Sequence, residues 1–105
     1  MQELIHLEDE IRKIKEELLA LTDMRPGSLT RQYHDRQNKK GGFWSLSYTY
    51  KMKGRTEYVR PEHVREIRRQ ITQFKKFKTL TARWVDLALE LCRRKREMEK
   101  SQTPL

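Results

Sequence analysis

The sequence lacks most of the features that define enzymes, disulfide-linked proteins and membrane proteins. It has one cysteine, Cys92, so neither a disulfide framework nor a cysteine metal cluster can form within the chain. No apolar run approaches the roughly 20 residues of a membrane-spanning helix. There is no Gly-rich phosphate loop, no Ser-His-Asp or Cys-His spacing and no carboxylate pair in an apolar setting. We therefore expect a cytoplasmic protein that is not an enzyme, uses no cofactor and does not enter a membrane.

A metal site is equally poorly supported by the sequence. His34, Asp35 and His63 are candidate ligands, but they are too few and follow no established ligand spacing. The sequence therefore predicts no metal.

Acidic residues are scarce after the first 23 positions. The 105 residues include 24 Lys or Arg and 15 Asp or Glu, a formal net charge of +9. Residues 1–23 carry three bases and seven acids, residues 24–60 nine bases and two acids, and residues 61–105 twelve bases and six acids. A basic surface of this kind attracts polyanions, and the alternatives are a solvated surface or an acidic protein partner.

Residues 1–23 have the pattern of a coiled-coil helix. Apolar residues recur at alternating steps of three and four, which is a heptad seam, and charged residues occupy the other positions. Such a narrow seam needs a partner helix. The seam consists of Leu4, Leu7, Ile11, Ile14, Leu18 and Leu21.

Residues 24–42 are interpreted as a basic loop. Pro26 disfavours the helical conformation at Arg25, and Gly27 suits a turn, so the first helix should end here. Residues 28–33 are compatible with a short strand or with one turn of helix, and the residues that follow are polar.

Residues 43–60 have the alternation of a β-hairpin. A two-residue loop at Lys53-Gly54 would place Tyr48 opposite Val59. One face would then be apolar and the other polar, and the apolar face must pack on a helix because a lone two-stranded ribbon is marginally stable. The predicted apolar face consists of Trp44, Leu46, Tyr48, Tyr50 and Val59.

Residues 61–99 are predicted to form a long helix, followed by a tail over 100–105. Pro61 suits a first turn, and apolar residues follow in two stripes offset from each other. The stripes are Val64, Ile67, Ile71 and Phe74, then Phe77, Leu80, Trp84, Leu87 and Leu91. A further apolar face, which we expect to form a homodimer interface, consists of Val85, Leu89 and Cys92.

The predicted fold class is therefore mainly α (α+β), a single domain of antiparallel coiled-coil helices with an inserted two-stranded basic β-hairpin. The first apolar stripe should pack under the hairpin. The second should pack against the N-terminal helix, whose acidic charge complements the basic C-terminal helix.

The expected function is non-catalytic DNA binding. Lys and Arg side chains would neutralise phosphates, and a two-stranded ribbon fits the major groove. RNA is the rival ligand, with Trp44 or Tyr58 stacking on unpaired bases. The other alternative is an adaptor or inhibitor that docks on an acidic protein. The candidate nucleic-acid-binding residues are Lys51, Lys53, Arg55, Tyr58 and Arg60 in the hairpin, Arg65, Arg68, Arg69 and Lys76 in the helix, and Arg36, Lys39 and Lys40 in the loop.

Residues 26–92 contain four short motifs that resemble the shared motifs of a family of small uncharacterised bacterial proteins. Members of this family are often encoded near transposases and other mobile elements. The motifs are Gly27-Ser28-Leu29, Phe43-Trp44-Ser45-Leu46-Ser47, Lys53-Gly54-Arg55 and Tyr58-Val59-Arg60-Pro61. Many relatives have a cysteine cluster before the hairpin, where this chain has "YHDRQNKKGG". The resemblance implies a mobile-element or phage setting, and because those cysteines are missing here, no metal site is inherited from the family. A larger protein–nucleic acid assembly is a further candidate partner.

Overall fold

The structure, a computed structural model, describes residues 2–102, and the side chains of residues 2–100. Its elements form a mixed α+β fold, and the last helix extends into the segment that was predicted to be a tail. Met1 and residues 103–105 of that predicted tail lie outside the described residues. The elements are α1 (Gln2–Leu19), β1 (Ser28–Asp35), β2 (Lys40–Tyr50), β3 (Lys53–Val59), a 3-10 turn (Pro61–His63) and α2 (Val64–Gln102).

The chain divides into two compact units, a helical unit and a sheet unit. The sheet unit comprises residues 22–75, and the helical unit comprises the described residues before 22 and after 75. In the helical unit Ile11 and Ile14, two residues of the predicted seam, are buried. Ion pairs join Glu10 to Arg83 at 3.1 Å and Glu3 to Arg94. Because the earlier α1 residue meets the later α2 residue, the two helical segments of this unit run antiparallel.

The sheet has three antiparallel strands in the order β1-β2-β3, which corrects the predicted two-stranded hairpin and the predicted loop over 24–42. The sequence is compatible with either a strand or a turn of helix at residues 28–33, and in the structure these residues are part of β1. Leu29 pairs with Leu46, and Tyr33 pairs with Gly42. Because β1 has few apolar residues of its own, its hydrogen-bonded ladder with β2 holds it in place. The same ladder covers the edge of β2, which would otherwise be unpaired.

The loop between β2 and β3 is Lys51-Met52, not the predicted Lys53-Gly54. Both loop residues have positive φ, 50° at Lys51 and 66° at Met52, as in a type I′ turn. Val59 consequently pairs with Trp44 rather than with Tyr48. The turn lies two residues earlier than predicted, so the partner of Val59 changes by four residues. An even shift preserves the faces, since side chains alternate with a period of two, and it brings Val59 beside Leu46 in the core.

The core of the sheet unit lies between the sheet and the first turns of α2. Leu46, Val59 and Ile71 are 0%, 4% and 8% exposed, and Val64 and Ile67 pack against them. The first apolar stripe of the long helix therefore packs under the hairpin, as predicted.

Alternation divides the sheet into two faces. The inner face, which carries the core residues, includes Leu29, Arg31, Tyr33, Trp44, Leu46, Tyr48, Tyr50, Arg55, Glu57 and Val59. The outer face consists of Ser28, Thr30, Gln32, His34, Gly41, Phe43, Ser45, Ser47, Thr49, Gly54, Thr56 and Tyr58.

Within residues 2–102, neither helix is long and apolar enough to cross a membrane. Over the same range, no three His, Cys, Asp or Glu side chains are grouped so that they could hold a metal ion.

Candidate nucleic-acid interface

The positive charge of the protein is concentrated in the sheet unit. Residues 22–75 contain thirteen Lys or Arg and five Asp or Glu, a net charge of +8 out of +9 for the whole chain. The helical unit is close to neutral, because the acids of α1 offset the bases of α2. A polyanion would therefore be attracted mainly to the sheet unit.

The first turns of α2 present a row of cations that we call the cation stripe, consisting of Arg65, Arg68 and Lys75. Spacings of three and seven residues place these side chains on one side of the helix, next to the apolar stripe. All three are exposed. Among the residues whose side chains the structure describes, none of the three has an acidic partner within ion-pair distance. Their charge is therefore available to a ligand.

Trp44 positions two of the cations beside the sheet. The guanidinium carbons of Arg68 and Arg31 lie 5.0 and 5.3 Å from the centre of its ring, within the range of cation–π interactions. Gly42 makes room for Arg31, since a Cβ at this position would lie 2.6 Å from Nη2 of the arginine. Trp44 is therefore occupied by protein cations on the inner face, which disfavours the predicted stacking of Trp44 on a base.

An open groove of about 420 Å³ runs between the start of β1 and α2. Arg68 and Lys75 line it from the helix, and Gly27 and Ser28 line it from the strand. The Thr72 hydroxyl, also in the groove, donates a hydrogen bond of 3.0 Å to the Arg68 carbonyl. Two unpaired cations beside exposed backbone make the groove suitable for a phosphate group.

The tip of the β2–β3 ribbon extends beyond β1. The β1 ladder begins at the pair Ser28–Ser47, so Tyr48, Thr49 and Tyr50 pair only with β3. At about 3.3 Å per residue, the two-stranded part projects by about 10 Å.

Three predicted cations lie at this tip, and each has a different setting. The Nζ atom of Lys51 lies 5.3 Å from the centre of the Tyr50 ring. Lys53 begins β3, and Arg55 pairs with Tyr48 on the inner face. All three are exposed.

The predicted loop cations lie in the β1–β2 connection. Arg36, Lys39 and Lys40 surround a turn in which Asp35 accepts hydrogen bonds from the Asn38 side chain at 3.0 Å and from the Asn38 backbone N–H at 3.2 Å. These bonds, the side-chain bond first, lower the pKa of Asp35 below its ordinary value. The turn thus holds three exposed cations at one end of the sheet.

Four other predicted residues are placed differently from the cation stripe. Arg69 pairs with Glu66 at 2.8 Å, so its charge is partly compensated. Lys76 belongs to the helical unit. Tyr58 lies on the outer face, 67% exposed, and Arg60 follows β3 with an extended backbone.

The predicted dimer residues lie on α2 in the helical unit. Val85 is 57% exposed and Leu89 is 66% exposed, and Cys92 is an exposed free cysteine. The described chain leaves these side chains uncovered.

The residues predicted from the sequence to bind nucleic acid did not include Arg31 and Lys75. Arg31 could have been found if residues 28–35 had been recognised as a strand, because it alternates with Leu29 and Tyr33. Lys75 could have been found from its spacing of seven residues after Arg68. Comparison with protein-family models, with curated proteins and with solved structures found no match for this chain.

Proposed function

We propose that this protein binds DNA without catalysing a reaction, and that the sheet unit makes the contacts. The cation stripe, Arg31 and the tip of the β2–β3 ribbon would contact phosphates, and the ribbon would enter a groove of the duplex. The proposal includes a mobile-element or phage setting, which rests on the family resemblance, and a larger protein–nucleic acid assembly as a further partner.

The observation that carries this proposal is the unpaired state of the cation stripe in a unit of net charge +8. A stripe that served only to keep the surface soluble would gain from nearby acids. In the helical unit several bases have such partners, for example Arg93, which lies 2.7 Å from Glu97, and Arg83, which lies 3.1 Å from Glu10. Unpaired cations next to a groove are typical of phosphate contacts instead.

The shape of the ribbon supports a duplex as the ligand. Its two-stranded part projects about 10 Å, and a two-stranded ribbon has the width that the major groove admits. Lys51 and Lys53 would then reach phosphates on the two sides of the groove.

The test is a salt series with labelled duplex DNA, single-stranded DNA and RNA. The double variant Arg65→Gln/Lys75→Gln removes two charges without touching Arg68, which stacks on Trp44. If each makes one phosphate contact, the slope of log K against log salt should become shallower by about 2 for duplex DNA. The matched control is Arg96→Gln/Lys100→Gln, which removes the same charge from exposed positions in the helical unit.

A second variant tests the ribbon while keeping its turn. Asparagine tolerates positive φ, so Lys51→Asn combined with Lys53→Gln removes the tip charges without straining the loop. Duplex affinity should fall and its salt dependence should become weaker. The proposal fails if no nucleic acid binds at low salt, in which case an acidic protein partner replaces it. It also fails if the stripe variant and its control behave alike.

The proposed assembly is a homodimer built on the helical unit. Val85, Leu89 and Cys92 would form the contact between two copies, and coiled-coil packing of α1 and α2 would present this face. Exposed apolar residues in a row on a helix gain free energy when a second helix covers them.

A further inference from the structure

Three aromatic rings cross the outer face of the sheet, one from each strand. They are His34 on β1, Phe43 on β2 and Tyr58 on β3, and we call them the aromatic row. The ring centres of His34 and Phe43 are 4.9 Å apart with planes tilted by 33°, and those of Phe43 and Tyr58 are 6.4 Å apart with a tilt of 37°. His34 and Tyr58 are exposed, and Phe43 is half-buried.

A glycine allows the first of these rings to lie against the sheet. At Gly41 a Cβ would lie 2.9 Å from Cδ2 and 3.1 Å from Cβ of His34. Gly41 also has a φ of 68°, a conformation that favours glycine. The backbone is thus shaped to hold an imidazole ring next to Phe43.

The rest of the outer face is polar and carries no carboxylate among the described strand positions. Serine, threonine and glutamine side chains surround the row, and all of them except the buried Ser45 can exchange hydrogen bonds with bases. The acids Asp35 and Glu57 have inner-face positions in the alternation, and Glu57 lies 3.4 Å from Arg25.

Cations stand at both ends of the aromatic row. Arg36 and Lys39 lie in the turn next to His34. Arg60 follows Tyr58 by two residues along an extended backbone, so alternation places it on the same side as Tyr58. A strand of nucleic acid that crossed the sheet would therefore meet rings in the middle and positive charge at each end.

We infer that the outer face is a platform on which unpaired bases of a single nucleic acid strand stack. Exposed aromatic rings with flanking cations are the common means of binding single strands, because every base has a π-face. A duplex cannot use the row in this way, since its bases are already stacked. The inference rests on the proposed nucleic-acid binding and adds a second surface, which takes unpaired strands, to the cation stripe and ribbon.

The test compares two oligonucleotides that differ only in their bases. One is oligothymidylate, and the other is an abasic strand with the same number of phosphates. The full chain should bind the first at least about fivefold more tightly, because stacking contributes on the order of a tenfold change in affinity for each base. An oligouridylate arm distinguishes RNA from DNA as the source of the strand.

Variants of Tyr58 test whether the outer face of the sheet is the surface that binds the bases. Tyr58→Ala should bring the ratio of the two affinities close to one, whereas Tyr58→Phe, which retains the ring, should preserve it. The matched control is Tyr50→Ala, because Tyr50 is also an exposed tyrosine, 57% against 67%, but lies on the inner face. Both tyrosines are surface residues, so neither replacement should prevent folding.

The outcomes distinguish the platform from the proposed function. A ratio near one in the unmodified chain, or a high ratio that Tyr58→Ala leaves unchanged, overturns the platform. In either case duplex binding with a steep salt dependence would leave the proposed function standing. If the unmodified chain does not bind duplex DNA but binds oligothymidylate more tightly than the abasic strand, the duplex proposal is overturned and the platform is supported. Absence of binding to every strand would overturn both.

Discussion

Replacement of Gly27 by alanine tests whether the start of β1 is held against the core by backbone geometry. Gly27 has a φ of 142°, which side-chain-bearing residues rarely adopt. A Cβ there would lie 2.7 Å from Cδ1 of Leu46 and 3.2 Å from the Ser47 carbonyl oxygen. Leu46 is completely buried and the carbonyl belongs to the backbone, so neither neighbour can move freely.

The expected cost follows from two separate effects. Backbone strain contributes about 1–3 kcal/mol, and overpacking against Leu46 contributes about 1–3 kcal/mol. Alanine also lowers the conformational entropy of the unfolded chain, which offsets about 0.4–1 kcal/mol of this cost. We therefore expect Gly27→Ala to lower the free energy of unfolding by about 1–6 kcal/mol, a large part of the stability of a small domain.

The matched control is Gly54→Ala. No atom lies within 4 Å of a Cβ built on Gly54, and its φ is not positive. Alanine in this strand should leave stability unchanged or raise it by up to about 1 kcal/mol. The measurement is urea unfolding followed by tryptophan fluorescence in a Trp84→Phe background, where Trp44 reports on the sheet unit. Unfolding free energies within about 0.5 kcal/mol of each other, a difference typical of neutral surface sites, would refute the strain argument.

Three further predictions concern the turns and the oligomer. Met52→Gly should stabilise the protein by roughly 0.5–1 kcal/mol in urea unfolding, because position 52 has positive φ and is 98% exposed; a loss of stability would contradict the turn geometry. Asn38→Ala should raise the pKa of Asp35 towards its ordinary value in a carboxyl-carbon NMR titration, since the strongest bond to the carboxylate is removed. The pKa of Asp35 is lowered by folding, so this bond stabilises the protein above the ordinary pKa and its contribution is lost as pH falls through the folded value. The stability gap between Asn38→Ala and the unmodified chain should therefore close in acid. Val85→Glu combined with Leu89→Glu should give a monomer in light scattering, and an unchanged mass would reject the proposed dimer face.

The helices could be predicted from the sequence because their apolar residues repeat with helical spacing. Ile11 and Ile14 are buried as the heptad seam requires, and Ile71 enters the core as the stripe of the long helix requires. The sequence does not distinguish strand from helix for residues 28–33, because Leu29 and Tyr33 are separated by polar residues. The strand conformation of β1 is determined by pairing with β2, a contact between distant parts of the chain that no local pattern reports.

The ribbon turn was misplaced for a related reason. Gly54 is the residue that hairpin loops usually favour, yet it lies in β3 with nothing near a Cβ. The register is decided instead by the core, where Val59 must stand opposite Trp44 to pack beside Leu46. Burial of these side chains outweighs the cost of positive φ at Lys51 and Met52, which is about 1–2 kcal/mol for each residue.

The adjacent glycines of β2 show why the two candidate surfaces were difficult to find from the sequence. Gly41 makes room for His34 on the outer face, and Gly42 makes room for Arg31 on the inner face. Alternation sends neighbouring residues to opposite faces, so one Gly-Gly pair serves both surfaces. In the sequence the pair reads as the end of a polar loop. Only the β1–β2 ladder reveals that the first glycine admits a ring of the aromatic row and the second admits a cation that Trp44 holds. One structural feature, the pairing of β1 with β2, therefore positions His34 on one surface and Arg31 on the other.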